Sequence, residues 1–254
     1  MNFIYNNKQI YSDKYYLYLY NENNFRIVYL KNSRNKGFEE IKDYIDFIGT
    51  AEDNTILSYE SERCSLSRTK RHIREISLCN NFTHFATLTI NSSNCDRYSL
   101  EKCQDLLKKH LRRSKDQARR KNIDFAYIFI TEKHKDGAFH FHGLVKGLEF
   151  YTNNNGYLSN KVFDEIGFNS FSPIKDYNKT CNYITKYITK DCIKNSHNQI
   201  YISSRGLKKA ERYQIQPLEI NWKYENDFCK IADFNINELT QEEKLKFLQI
   251  KEGV

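Results

Sequence analysis

Proline and glycine are scarce, two and nine in 254 residues. So thin a supply excludes a low-complexity or proline-rich linker protein. The seven cysteines, Cys64, Cys79, Cys95, Cys103, Cys181, Cys192 and Cys229, are odd in number and show no C-x-x-C spacing. Neither a disulfide framework nor a zinc knuckle is indicated, and a reducing cytoplasm is the expected setting. No run of about 18 apolar residues exists, so no membrane-spanning helix is expected. The opening residues MNFIYNNKQIYSDK have no basic stretch followed by an apolar one, so no secretory leader is expected there. A G-x-x-x-x-G-K-[ST] loop is also missing from the sequence, which argues against a nucleotide cofactor and an in-built motor.

What is present is aromatic and basic. Nineteen Tyr and 17 Phe sit in a chain that is 39% hydrophobic, enough for a core and suited to a pleated surface. The formal charge is +8, from 40 basic and 32 acidic residues. Residues 217–254 carry a net −3, which leaves +11 on residues 1–216, concentrated at 63–74 and 108–121. A basic body with a mildly acidic tail suits a polyanionic partner.

The order of elements follows from periodicity and punctuation. Residues 15–20 and 25–30 alternate around Asn21-Glu22-Asn23-Asn24 and predict a hairpin. Residues 38–48 have helical spacing and end at Gly49. A basic amphipathic helix is expected over 65–80, a strand over 82–90, and a helix from an N-cap at Ser99 to about Lys121. Two further strands, 125–131 and 138–145, flank the turn His134-Lys135-Asp136-Gly137. This succession predicts an α+β fold, a central antiparallel sheet with helices packed on it. Three parts are expected: an N-terminal hairpin and helix extension over 1–62, a main domain over 63–216, and an acidic helical tail over 217–254.

Two segments carry chemistry. On a strand, residues i and i+2 share a face, so His140 and His142 would present two imidazoles together and turn Phe141 inward. Such a pair can bind a divalent cation, and Glu132 on the preceding strand could add an oxygen ligand, with His134 an alternative at the turn. Two histidines and a carboxylate leave positions open for a phosphate oxygen and water. The second segment is a tandem Tyr-Ile-Thr-Lys at 183–186 and 187–190. As a helix it places Tyr183, Lys186, Tyr187 and Lys190 on one face. As a strand, which its Ile and Thr favour, Tyr187 and Lys190 would face opposite ways. The helix is the expected state. A phenol with an ammonium beside it is a candidate nucleophile toward phosphorus.

Taken in order, Phe85-Ala86-Thr87-Leu88-Thr89, His140-Phe141-His142-Gly143 and Tyr183-x-x-x-Tyr187-x-x-Lys190 resemble the three motifs of the rolling-circle replication initiators of the HUH endonuclease superfamily. The resemblance runs from about residue 63 to 209 and is nearest to replication-associated proteins of small single-stranded DNA phages and related plasmids or integrated elements. It implies a sheet of ferredoxin-like arrangement with the histidines on a central strand and the tyrosine helix beside it. It also implies Mg²⁺ or Mn²⁺ on His140, His142 and Glu132, and Tyr187 and Tyr183 as nucleophiles assisted by Lys186 and Lys190. The partner implied is single-stranded DNA at a replication origin, with a host helicase and polymerase. Arg112, Arg113, Arg119 and Arg120 are expected to hold its phosphates, and Thr87 and Thr89 to lie at the DNA surface. A relaxase or single-strand transposase would share this chemistry, and a DNA-binding regulator would share only the fold.

Overall fold

The computed structural model describes residues 3–5, 8–34, 54–189, 200–215, 224–225, 229–241, 243–245 and 247. The helix expected over 38–48 and the residue Lys190 lie outside them. The chain forms two compact units, residues 58–208, and residues 1–57 together with 209–254. The expected breaks at 62/63 and 216/217 thus each fall several residues beyond the observed ones, and the two ends of the chain make a single unit.

That unit is built on a sheet of β1 (Phe3–Tyr5), β2 (Lys8–Leu19) and β3 (Asn24–Arg34), joined from the far end of the chain by β11 (Glu211–Ile215), β12 (Tyr224–Glu225) and β13 (Cys229–Asn235). The hairpin between β2 and β3 turns where the sequence places it. The Asn21 side chain accepts hydrogen bonds from the Asn23 and Asn24 amides, both at 2.9 Å, which is how asparagine fixes a turn. The stretch expected to be a helical tail supplies β12 and β13, the latter paired antiparallel with β3. Leu17, Phe25, Ile27 and Phe247 form its small core.

The second unit opens with α1 (Asn54–Cys79), followed by β4 (His84–Ile90) and α2 (Leu100–Arg120). Ser99 caps α2 by accepting from the Lys102 amide. Next come β5 (Ala126–Lys133), β6 (Phe139–Lys146), the short pair β7 (Tyr151–Thr152) and β8 (Leu158–Ser159), and a one-turn α3 (Lys161–Asp164). The chain continues through β9 (Gly167–Pro173), α4 (Tyr177–Tyr183), a 3₁₀ turn (Ile184–Tyr187) and β10 (Tyr201–Ser203). Five strands form an antiparallel sheet in the order β10-β5-β6-β4-β9, so the histidine strand β6 is central. The fold is α+β, as the sequence predicts.

The two faces of this sheet are covered differently. Ala86, Leu88 and Ile90 of β4, Phe129 of β5 and Phe141 of β6 form one buried cluster with Cys103, Leu107 and Leu111 of α2. The alternate residues face the other way, toward α4 and the 3₁₀ turn, which contacts both β5 and β6. Helix α1 joins that second layer. The buried Tyr177 hydroxyl donates to the Ser77 carbonyl at 2.7 Å and accepts from the Phe82 amide at 2.9 Å. Arg74 Nε donates to Asn182 Oδ1 at 2.6 Å.

Gly143, next to the second histidine, faces the α2 layer opposite Phe129. A Cβ built there would lie 2.4 Å from a Phe129 ring carbon and 2.8 Å from the Ile128 carbonyl oxygen, closer than real contacts allow. Gly143→Ala should therefore lower unfolding stability by about 1–3 kcal/mol. Denaturant melts of the two proteins measure this, and an unchanged midpoint would contradict so close an approach.

Candidate functional site

Strand pairing assembles the site before any side chain is considered. Glu132, His140 and Thr89 are direct partners across β5, β6 and β4, and the next row is Ile130, His142 and Thr87. His142 Nε2 lies 2.7 Å from Glu132 Oε2. His134, at the β5–β6 turn, reaches the same oxygen at 3.5 Å and stacks on His140 with ring centroids 3.6 Å apart. The turn is pinned by the Phe139 amide, which donates to the Arg97 carbonyl at 2.8 Å, and by the Arg97–Asp136 ion pair at 2.6 Å.

The threonines take a role different from the DNA contact expected of them. Thr89 Oγ1 lies 3.0 Å from His140 Nδ1, and Thr87 Oγ1 lies 3.4 Å from His142 Nδ1. A hydroxyl accepting from Nδ1–H leaves the Nε2 lone pair available, the arrangement by which neighbouring groups prepare an imidazole to ligate. Burial pushes both histidines below their ordinary pKa. For His140 the neighbouring His134 and His142 add to this, and for His142 the Glu132 carboxylate opposes it. Neutral imidazoles beside a carboxylate are a suitable donor set for a divalent cation. As they stand, the rings are stacked and the His142–Glu132 contact is a hydrogen bond. Among the described residues, no three such side chains are arranged around a common point.

The tyrosine segment is helical where the residues described allow a decision. Asp176 caps α4 by accepting from the Lys179 amide. The helix tightens to 3₁₀ at Ile184 and ends at Tyr187, since Ile188 is already extended at φ −87°, ψ 105°. Buried Ile184 and Ile188 anchor the turn from below. Tyr187 then stacks on His142, with centroids 3.7 Å apart and planes 12° from parallel. Its hydroxyl donates to the Tyr183 hydroxyl at 2.9 Å. Burial and that hydrogen bond raise the Tyr187 pKa, so the phenol is protonated in this arrangement. Lys186 Nζ sits 4.9 Å from the centre of the Tyr183 ring.

Phe85, to which sequence reasoning gave no role in the site, lies under the whole group. Its ring is 6.0 Å from His142, 5.7 Å from Tyr183 and 6.3 Å from Tyr187. The signal was in the β4 alternation, where Phe85, Thr87 and Thr89 share one face. Tyr183, Lys186 and Lys179 also line an open cavity of about 510 Å³ with Phe85, Ser172 and Asn182.

The α2 arginines are not brought to the site. Because α2 packs on the Phe141 face, Arg112, Arg113, Arg119 and Arg120 lie in the layer opposite the histidines. Arg113 pairs with Glu165 and holds that carboxyl down at about 2, and Arg119 lies 3.5 Å from Asp116. The basic groups on the tyrosine side are Lys179, Lys186 and Arg74 of α1.

Residues 83–192 match a family model described as replication-associated protein, of the ORF2 type. The match spans under half of the chain, and it takes in β4, both histidines, Glu132 and both tyrosines. It supports a replication-initiator family and DNA replication as the setting. No curated protein and no solved structure matches the chain. No helix among the described residues is long and apolar enough to cross a membrane.

The depressed histidine pKa values have a consequence for stability. Below about pH 6.5 an unfolded histidine gains a proton that buried His140 and His142 resist, so the folded state binds fewer protons. Their contribution is intact above that value and is lost as pH falls. The thermal midpoint should drop between about pH 7.5 and pH 5.5, and drop less steeply in the His140→Gln/His142→Gln double variant. Parallel slopes for the two proteins would remove these histidines as the cause.

Proposed function

We propose that this chain initiates rolling-circle DNA replication by nicking single-stranded DNA with a tyrosine nucleophile. The observation that carries the reading is the stacking of Tyr187 on His142, with Tyr183 hydrogen-bonded to Tyr187. A phenol pair in contact with two neutral imidazoles and a carboxylate is an unusual grouping for mere packing, and it matches the needs of phosphoryl transfer. The Tyr187 oxygen attacks phosphorus and the bond to the 3′ oxygen breaks. The products are a 5′-phosphotyrosine and a 3′-hydroxyl able to prime a polymerase. Tyr183 Oη, already accepting the Tyr187 hydrogen bond, is placed to receive its proton, and the departing 3′ oxygen takes up a proton in turn. Tyr183 is then the second nucleophile for strand exchange.

His140, His142 and Glu132 would hold Mg²⁺ or Mn²⁺. When bound, such an ion polarises the scissile phosphate and offsets its charge. Lys186, beside Tyr183, adds positive charge on the nucleophile side, and Lys190 is assigned the same role. Phosphates approaching Tyr187 meet Lys179, Lys186 and the basic face of α1 rather than the α2 arginines. Unwinding is assigned to a host helicase, since the sequence carries no phosphate-binding loop of a motor.

Single-stranded DNA tiled across the replicon that encodes the chain should give a covalent protein–DNA adduct on a denaturing gel. Chelation should abolish the adduct and Mn²⁺ restore it. Tyr187→Phe should eliminate it while DNA binding survives. Loss in Tyr183→Phe alone would exchange the roles of the two tyrosines, and an adduct from the double variant would sink the mechanism.

A further inference from the structure

The edge strand β9 carries a feature that the nicking chemistry does not use. Its register with β4 places Phe168 opposite Thr89, Ser170 opposite Thr87 and Ser172 opposite Phe85. Because Thr89 is itself opposite His140, Phe168 shares a cross-strand row with Glu132 and His140. Two strand spacings put it roughly 10 Å from His140 on the same face. Phe168 is 44% exposed, and Tyr157, in the turn between β7 and β8, is 49% exposed. Single exposed aromatics are ordinary on protein surfaces. These two touch edge to face, with centroids 5.6 Å apart and planes at 84°, so they form one rigid aromatic corner.

The same face of β9 leads from that corner to Ser172, at the rim of the cavity that Tyr183, Lys179 and Lys186 line. The four residues between Phe168 and Ser172 span roughly 13 Å. One end of this path is aromatic, its middle is a serine hydroxyl, and its far end holds two ammonium groups beside a phenol. Bases stack on aromatic rings without regard to sequence, and lysines neutralise phosphates. A base can offer its ring face only when it is unpaired, so duplex DNA does not fit.

We propose that Phe168 and Tyr157 form a stacking platform for single-stranded DNA, and that β9 guides the strand from this platform into the tyrosine cavity. The proposal rests on the nickase reading only for which strand is bound. The platform holds bases that flank the cleaved phosphate, and it fixes the strand's position along the sheet without reading its sequence.

The test uses the full chain with chelator present and a fluorescently labelled mixed-sequence single-stranded DNA oligonucleotide, read by anisotropy. Phe168→Ala should weaken binding about ten-fold and Tyr157→Ala by a smaller factor, while Phe168→Trp stays close to wild type. Melting curves confirm that these surface changes leave the fold intact. Abasic substitutions scanned along the oligonucleotide should weaken wild type at one or two positions and leave Phe168→Ala unaffected there. Binding by Phe168→Ala within about two-fold of wild type, or no binding by wild type, overturns the platform. The adduct assay separates this from the nickase reading. Phe168-dependent binding without any adduct removes the nickase and keeps the platform, and an adduct with Phe168-independent binding does the reverse.

Discussion

A β-strand can offer only every second side chain to one face, and the second unit is organised by how β6 divides its residues. Phe141 and Gly143 turn toward α2 and close the main core, while His140 and His142 turn toward α4. The alternation cannot be shifted by one residue without burying imidazoles and exposing a phenylalanine, so packing and site geometry enforce each other. The neighbouring strands inherit that register. Thr87 and Thr89 arrive beside the two histidines from one side, and Glu132 arrives beside His140 from the other.

The layer above the histidines is fixed by polar ties as well as by burial. Tyr177 joins the end of α1 to the start of β4 through its hydroxyl, and Arg74 holds Asn182 one residue before Tyr183. These contacts set where α4 begins and how it lies. The 3₁₀ tightening then decides where it delivers Tyr187, because a 3₁₀ turn advances more per residue than an α-helix. A phenol held by stacking against an imidazole on one side and by a second phenol on the other has little freedom to point elsewhere.

Local periodicity made much of this legible in advance. The strands β4, β5 and β6, the helix α2 with its Ser99 cap, the β2–β3 hairpin and the shared face of His140 and His142 all follow from patterns within a few residues. What escaped depends on distant partners. Strand β9, Gly-Phe-Asn-Ser-Phe-Ser-Pro, is half polar and bounded by Gly and Pro, and it is a strand because β4 offers an edge. Strand β13 forms for the same reason against β3, which is why the tail does not read as a sheet element. The α2 arginines show the limit most clearly. Amphipathic phase says that they point outward, but only the side of the sheet on which α2 packs says which way outward is.

The four letters His-Phe-His-Gly also belong to two different vocabularies. The histidines answer to the chemistry above the sheet, and the phenylalanine and glycine answer to the ring of Phe129 and the core below it. A signature search weighs all four alike, yet they can be lost independently. A descendant that kept Phe and Gly but not the histidines would retain the scaffold without the reaction. One that kept the histidines but replaced the glycine would need a smaller residue at position 129 before its chemistry mattered at all.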